Sequence, residues 1–228
     1  MRKKLTEVLN ANKMTLIMSM PVNDLEVMQA SLRAGADVIK MHVNLLHRAS
    51  GNSFGSLREN AEVFKKMFAA TDVPMGIVLG ADVDTVRAEL GNLGDYDFSF
   101  LSLYGHHAPL GVCDIPEELM AACDGTYTMD EVKAFASCGA GVLEASIMPG
   151  SEYGMPLSFR DVCKYKALVE NTTLPVVVPT QRKVRPEDVK ALYQAGVKAL
   201  MVGAVVTGET AESVYEAVSA FRKAIDAL

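Results

Sequence analysis

Apolar and polar positions alternate along this chain in blocks. Short, nearly continuous apolar runs read as strands: "TLIMSMP" (15–21), "DVIKMHV" (37–43), "PMGIVLG" (74–80), "DFSFLSLYG" (97–105), "GVLEASIMP" (141–149), "LPVVVPT" (174–180) and "KALMVGAVV" (198–206). Such runs suit parallel strands buried on both faces. Helical segments lie between them, several with start signals. Asn23 is placed to cap one helix, with Glu26 in its first turn. Ser56 with Glu59, and Thr128 with Glu131, have the spacing of a capping box, and Ser158 with Asp161 has the same spacing. "IPEELMAAC" (115–123) reads as a helix with Pro116 in its first turn, which leaves "GTYT" (125–128) as the fifth strand. Three helices end in "RAGAD", "SCGAG" and "QAGVK", where glycine suits the left-handed turn that leads into the next strand.

About eight strand–helix repeats in 228 residues predict the α/β class and a single (β/α)8 TIM barrel over residues 1–228. No linker or charge block divides the chain. If "GTYT" is not a strand, an open doubly wound sheet is the alternative. Composition narrows the picture further. The net charge of −6 offers no basic surface for nucleic acid or an anionic membrane. No apolar stretch approaches the roughly 20 residues that span a bilayer, and "MRKKLTEVLN" lacks the apolar segment of a secretion signal. Cys113, Cys123, Cys138 and Cys163 form no CxxC, so reduced thiols in a cytoplasmic protein are expected.

The most specific segment is "RPEDVKALYQAGVKALMVGAVVTG" (185–208). It resembles the seventh and eighth units of the ribulose-phosphate-binding barrel superfamily, which includes sugar-phosphate epimerases, indole-glycerol-phosphate synthase and the histidine-biosynthesis barrels. The resemblance implies a phosphate held after strands seven and eight, by backbone at Gly203, Ala204 and Val205 and by Thr180 and Gln181. Where many members carry glycines after strand seven, this chain has "PTQRK", so Thr180, Gln181 or Lys183 would take over part of the cradle. The first three strands are loosely similar to those of N-acetylmannosamine-6-phosphate epimerases. That family's strand-three lysine and strand-seven glutamate are missing, with Leu79 and Pro179-Thr180-Gln181 in those regions.

Barrel enzymes place their chemistry at the C-terminal ends of strands. Lys40, His42 and Asn44 alternate along strand two and so share a face. A lysine inside an apolar barrel loses solvation, which favours its neutral form and makes it a base or Schiff-base nucleophile. Glu144, with Ser146 on the same face of strand six, is its natural partner; the pair could equally be structural. His106 follows strand four, and Arg48, in the loop after strand two, could clamp an anion. A metal held by His42, Glu144 and His106 or His107 is disfavoured because adjacent histidines do not both point inward, so neither metal nor cofactor is expected. "PGSEYGMPLSF" (149–159) is either a lid or a plain surface loop.

The reading that joins these residues is an isomerase or epimerase moving a proton next to the carbonyl of a phosphorylated small molecule. Lys40 and Glu144 would be acid and base, with His42 or His106 orienting, and Asn44, Arg48 and Ser146 touching substrate. A lyase or aldolase using a Lys40 Schiff base and a non-catalytic phosphate-binding barrel are the alternatives. A homo-oligomer is the default for such barrels.

Overall fold

Eight parallel strands close on one another in the structure, a computed structural model that describes residues 2–228. In chain order the strands are β1 (Thr15–Ser19), β2 (Val38–His42), β3 (Met75–Val78), β4 (Phe100–Tyr104), β5 (Glu118–Cys123), β6 (Val142–Ala145), β7 (Val176–Pro179) and β8 (Ala199–Val202). The barrel closes where β1 pairs with β8, Thr15 lying opposite Ala199.

Alternation along each strand sorts the core into two compartments. Ile17, Val38, Phe100, Met120, Val142, Val177, Ala199 and Met201 fill the barrel interior. Leu16, Met18, Ile39, Ile77, Leu101, Leu143, Val178 and Leu200 face outward into the layer beneath the helices. Gly76 on β3 lies opposite Phe100 on β4. A Cβ at Gly76 would stand 2.1 Å from the Phe100 ring, so the missing side chain is the space the ring occupies.

The N-terminal helix α1 (Leu5–Ala11) closes the bottom of the barrel, with Leu5 and Leu9 fully buried against the inner compartment. Thr6 fixes it: its amide and hydroxyl donate to the two carboxylate oxygens of Glu118 at 2.9 and 2.7 Å. The outer helices are α2 (Leu25–Arg33), α3 (Leu57–Ala70), α4 (Val83–Leu90), α5 (Met129–Ser137), α6 (Phe159–Glu170), α7 (Val189–Gln194), the short α8 (Ala204–Thr207) and α9 (Ala211–Asp226). The capping boxes expected at Ser56, Thr128 and Ser158 are formed. Gly35, Gly139 and Gly196, after α2, α5 and α7, all have φ between 93° and 101°, as their helix–strand junctions require.

Four local expectations are corrected. Asp24, not Asn23, caps α2; Asn23 instead donates to the His42 carbonyl and to Asn60. Residues 118–123 form β5 rather than a helix, and 125–128 are not a strand. The link from β4 to β5 therefore has no α-helix, only 3₁₀ turns at Gly105–His107 and Val112–Asp114. Pro109, a left-handed Gly111 and Pro116 break that stretch before an α-helix can propagate. Finally, β8 stops at Val202, and the Ala-Val-Val-Thr that prolongs its apolar run is α8. The loop after β2 also carries a two-stranded antiparallel ribbon, Leu45–Leu46 with Ser53–Phe54.

Candidate active site at the barrel mouth

The C-terminal ends of all eight strands border a cavity of about 620 Å³. Its floor is polar because three strands each place one ionic or hydroxylic side chain on the inner face above the apolar plug. β2 and β6 are four strands apart, hence across the barrel axis from one another, and their side chains meet there. Lys40 Nζ lies 3.5 Å from Glu144 Oε2. Ser102 on β4 joins them: its hydroxyl donates to Glu144 Oε2 at 2.7 Å and accepts from Lys40 Nζ at 3.4 Å. All three are buried. Glu144 Oε1 has no hydrogen-bond partner among the described residues, so it is the oxygen offered to the cavity.

His42 stands above Lys40 on β2, and His47 covers it from the loop, with ring centroids 4.6 Å apart. Burial pushes the His42 imidazole well below its ordinary range, with the Lys40 charge and then His47 adding to the effect. His47 falls to about 4, by burial first and Lys40 second. Both rings are thus neutral at neutral pH. His42 Nδ1 is enclosed with no hydrogen-bond partner, while His47 Nδ1 is 2.8 Å from the Ser50 hydroxyl.

A belt of hydrogen bonds lines the opposite wall. Gln181 Nε2 donates to the Ser146 hydroxyl at 2.9 Å and to Tyr153 at 2.6 Å. Tyr104 and Ser146 share a hydrogen bond of 2.7 Å. The Tyr104 phenol is pushed far up, chiefly by burial, and stays protonated. The 149–159 segment is tied down rather than free: Gly154 donates to the Gln181 carbonyl, Lys183 donates to the Met155 carbonyl, and Arg182 pairs with Glu152 and, at 3.1 Å, with Asp161.

Of the residues expected from sequence, Lys40, His42, Arg48, His106, Glu144, Ser146, Thr180, Gln181, Gly203 and Val205 border the cavity. Arg48 is exposed at the rim, its guanidinium 5.8 Å from the Tyr153 ring centre. His106 stacks on Tyr104 with its Nδ1 3.6 Å from Asp124. Asn44 does not join them. The chain turns there into the left-handed region, φ 54°, and the side-chain amide donates to the Leu79 carbonyl and to Glu89. Ala204 is also outside the lining. The Gly203 amide is already used, donating to the Thr180 hydroxyl at 3.1 Å. The amides of Ala204 and Val205 have no hydrogen-bond partner among the described residues.

Ser19, Ser102, Tyr104 and Asp124 were missed. Ser102 and Tyr104 were accessible in principle, as alternating polar positions in an apolar strand. Asp124 was hidden by the misplaced fifth strand. Among the described residues no group of three or more His, Cys, Asp or Glu is arranged to hold a metal, and no helix is long and apolar enough to cross a membrane.

No family model matches the chain, and a search of curated proteins finds no match. Solved structures do match over nearly the whole length. Thiamine phosphate pyrophosphorylase from Pyrococcus furiosus is 17% identical, with a TM-score of 0.66 over 95% of this chain and 97% of the other. KGPDC from Streptococcus mutans, solved as a complex, is 16% identical, with 0.68 over 95% and 99%. A mutant tryptophan synthase alpha-subunit from the hyperthermophile Pyrococcus furiosus is 14% identical, with 0.73 over 93% and 98%. The likeness agrees with the (β/α)8 barrel that the repeating strand–helix pattern predicts. At these identities the likeness carries the fold.

Proposed function

We propose that the chain is an enzyme acting on a small phosphorylated molecule, by moving a proton next to a carbonyl group. The observation that carries this reading is the Lys40–Ser102–Glu144 cluster, an acid–base pair across the axis of a cavity at the strands' C-terminal ends. Phosphate would sit at the β7–β8 side, against Thr180, Gln181 and the Gly203–Val205 turn. The partnerless amides of Ala204 and Val205 support that placement, and the phosphate compounds in the names of thiamine phosphate pyrophosphorylase and 3-hexulose-6-phosphate synthase support a phosphorylated ligand.

The Glu144 carboxylate takes a proton from the carbon beside the carbonyl. Electrons move into the carbon–carbon bond, and the carbonyl oxygen becomes an enolate. Lys40 stabilises that oxygen by charge and hydrogen bond. Returning the proton to the former carbonyl carbon, as the neighbouring hydroxyl passes its own proton to the enolate oxygen, gives an isomer; returning it to the opposite face of the carbon it left gives an epimer. His42, being neutral, orients the substrate and does not act as a cation. Ser102 holds Oε2 so that Oε1 is the oxygen that reacts.

The test is hydrogen exchange in heavy water, followed by NMR on ketose and aldose monophosphates. Wild type exchanges the hydrogen next to the carbonyl; Glu144→Gln and Lys40→Met slow exchange about 100-fold or more, the scale of a lost general base. No exchange with any such substrate overturns the reading. A second reading is a lyase using a Lys40 Schiff base, favoured by the long contacts of 3.4 and 3.5 Å that leave Nζ loosely held. Borohydride trapping of a carbonyl substrate on Lys40 would select it.

A further inference from the structure

β2, β4 and β6 each bring two polar side chains to the mouth, two residues apart, as alternate strands of a barrel share its layers. The lower set, Lys40, Ser102 and Glu144, is the polar floor. The upper set is His42, Tyr104 and Ser146, and none of it is charged. The imidazole is neutral, and the phenol stays protonated, by burial first and with the Glu144 charge among the lesser causes. Hydrogen-bond direction fixes what the upper layer offers. Gln181 Oε1 accepts from the Met148 amide at 3.0 Å, so Nε2 points the other way and donates to Ser146 and Tyr153. Tyr104 and Ser146 have two hydroxyl hydrogens between them and one shared bond of 2.7 Å. Whichever hydroxyl donates in that bond, one hydrogen is left over for the cavity. A neutral donor one layer above a carboxylate base suits an oxygen that becomes negative during the reaction.

Proton removal by Glu144 creates two such oxygens when the substrate is an α-hydroxy carbonyl compound. The first charge forms on the carbonyl oxygen, which Lys40 faces. When the neighbouring hydroxyl passes its proton to that oxygen, the charge moves to the second oxygen. Its electrons then form the new carbonyl bond, as the former carbonyl carbon takes the proton back from Glu144. We propose that Tyr104 and Ser146 donate to this second oxygen, so that the reaction shifts a carbonyl between adjacent carbons of an α-hydroxy carbonyl phosphate. In an epimerisation the second oxygen keeps its proton, and a second oxyanion donor has no charge to stabilise. The role presupposes the proposed proton transfer at Glu144.

Calorimetric titration of the full chain with two matched pairs tests it: phosphoglycolohydroxamate with phosphoglycolamide, and 4-phosphoerythronohydroxamate with 4-phosphoerythronamide. A hydroxamate carries two vicinal oxygens, as the intermediate does, and the amide lacks the second. At least one hydroxamate is expected to bind about tenfold or more tightly than its amide, and Tyr104→Phe and Ser146→Ala should each narrow that ratio about threefold or more. In heavy water with aldose and ketose monophosphates, each variant should raise the ratio of deuterium in recovered substrate to isomer formed by about tenfold or more, because the intermediate still forms but goes forward less often. Hydroxamates no tighter than their amides, ratios that neither variant moves, or an epimer as the product overturn the inference. Exchange that still depends on Glu144 in such a case leaves the proposed function standing. If none of the four ligands binds and no substrate exchanges, the proposed function falls and this role falls with it.

Discussion

Among single residues, desolvation governs the mouth of this barrel. Lys40 and Glu144 are buried, and each is tolerable there because the other and Ser102 are within reach. His42 and His47 meet the same low-dielectric surroundings without an anion and are held neutral instead. Between the ordinary histidine value and the depressed one, the unfolded chain binds protons that the folded chain refuses. Stability from these rings is therefore fully present above about pH 6.5 and is lost as pH falls toward about 4 for His47. Each such ring steepens the acid limb by up to about 1.4 kcal/mol per pH unit. Urea unfolding at pH 7 and pH 5 should show a smaller loss for His47→Gln than for the wild type; equal losses would show that His47 does not titrate this way.

Among the helices and strands, local sequence set most helix starts but not every boundary. The capping boxes at Ser56, Thr128 and Ser158 use neighbours three residues apart, so they were legible without any tertiary information. β5 was not. "EELMAAC" is rich in good helix formers, and its extended form is fixed by ladders to β4 and β6, with Met120 opposite both Ser102 and Val142. Tertiary pairing overrode propensity there. β3 and β4 show the same dependence in packing. Gly76→Ala should destabilise the fold by about 1–3 kcal/mol or more, since its Cβ would meet the Phe100 ring. Adding Phe100→Leu should recover part of that loss. A double variant no more stable than the sum of its single effects predicts would show that the clash is not the cause.

Taken whole, the barrel is a container closed at one end. Leu5 and Leu9 of α1 fill the bottom, and Glu118 of β5 receives α1 through Thr6. Leu9→Ala should cost about 2–5 kcal/mol in chemical denaturation, because the cavity it leaves is walled by strands that cannot collapse. A loss under 1 kcal/mol would mean that the plug is dispensable. The open end gathers Lys40 from β2, Ser102 from β4 and Glu144 from β6, residues up to 104 positions apart in sequence. The repeating strand–helix pattern, the left-handed glycine junctions, most caps and the charges within two apolar strands were all legible along the chain, because each depends on near neighbours. Other features were not legible there: that Lys40 meets Glu144 across the axis, that Asn44 turns away to Glu89 and that Thr180 takes the Gly203 amide. Those follow from barrel closure and register, which bring distant strand ends to one rim and which no local pattern encodes.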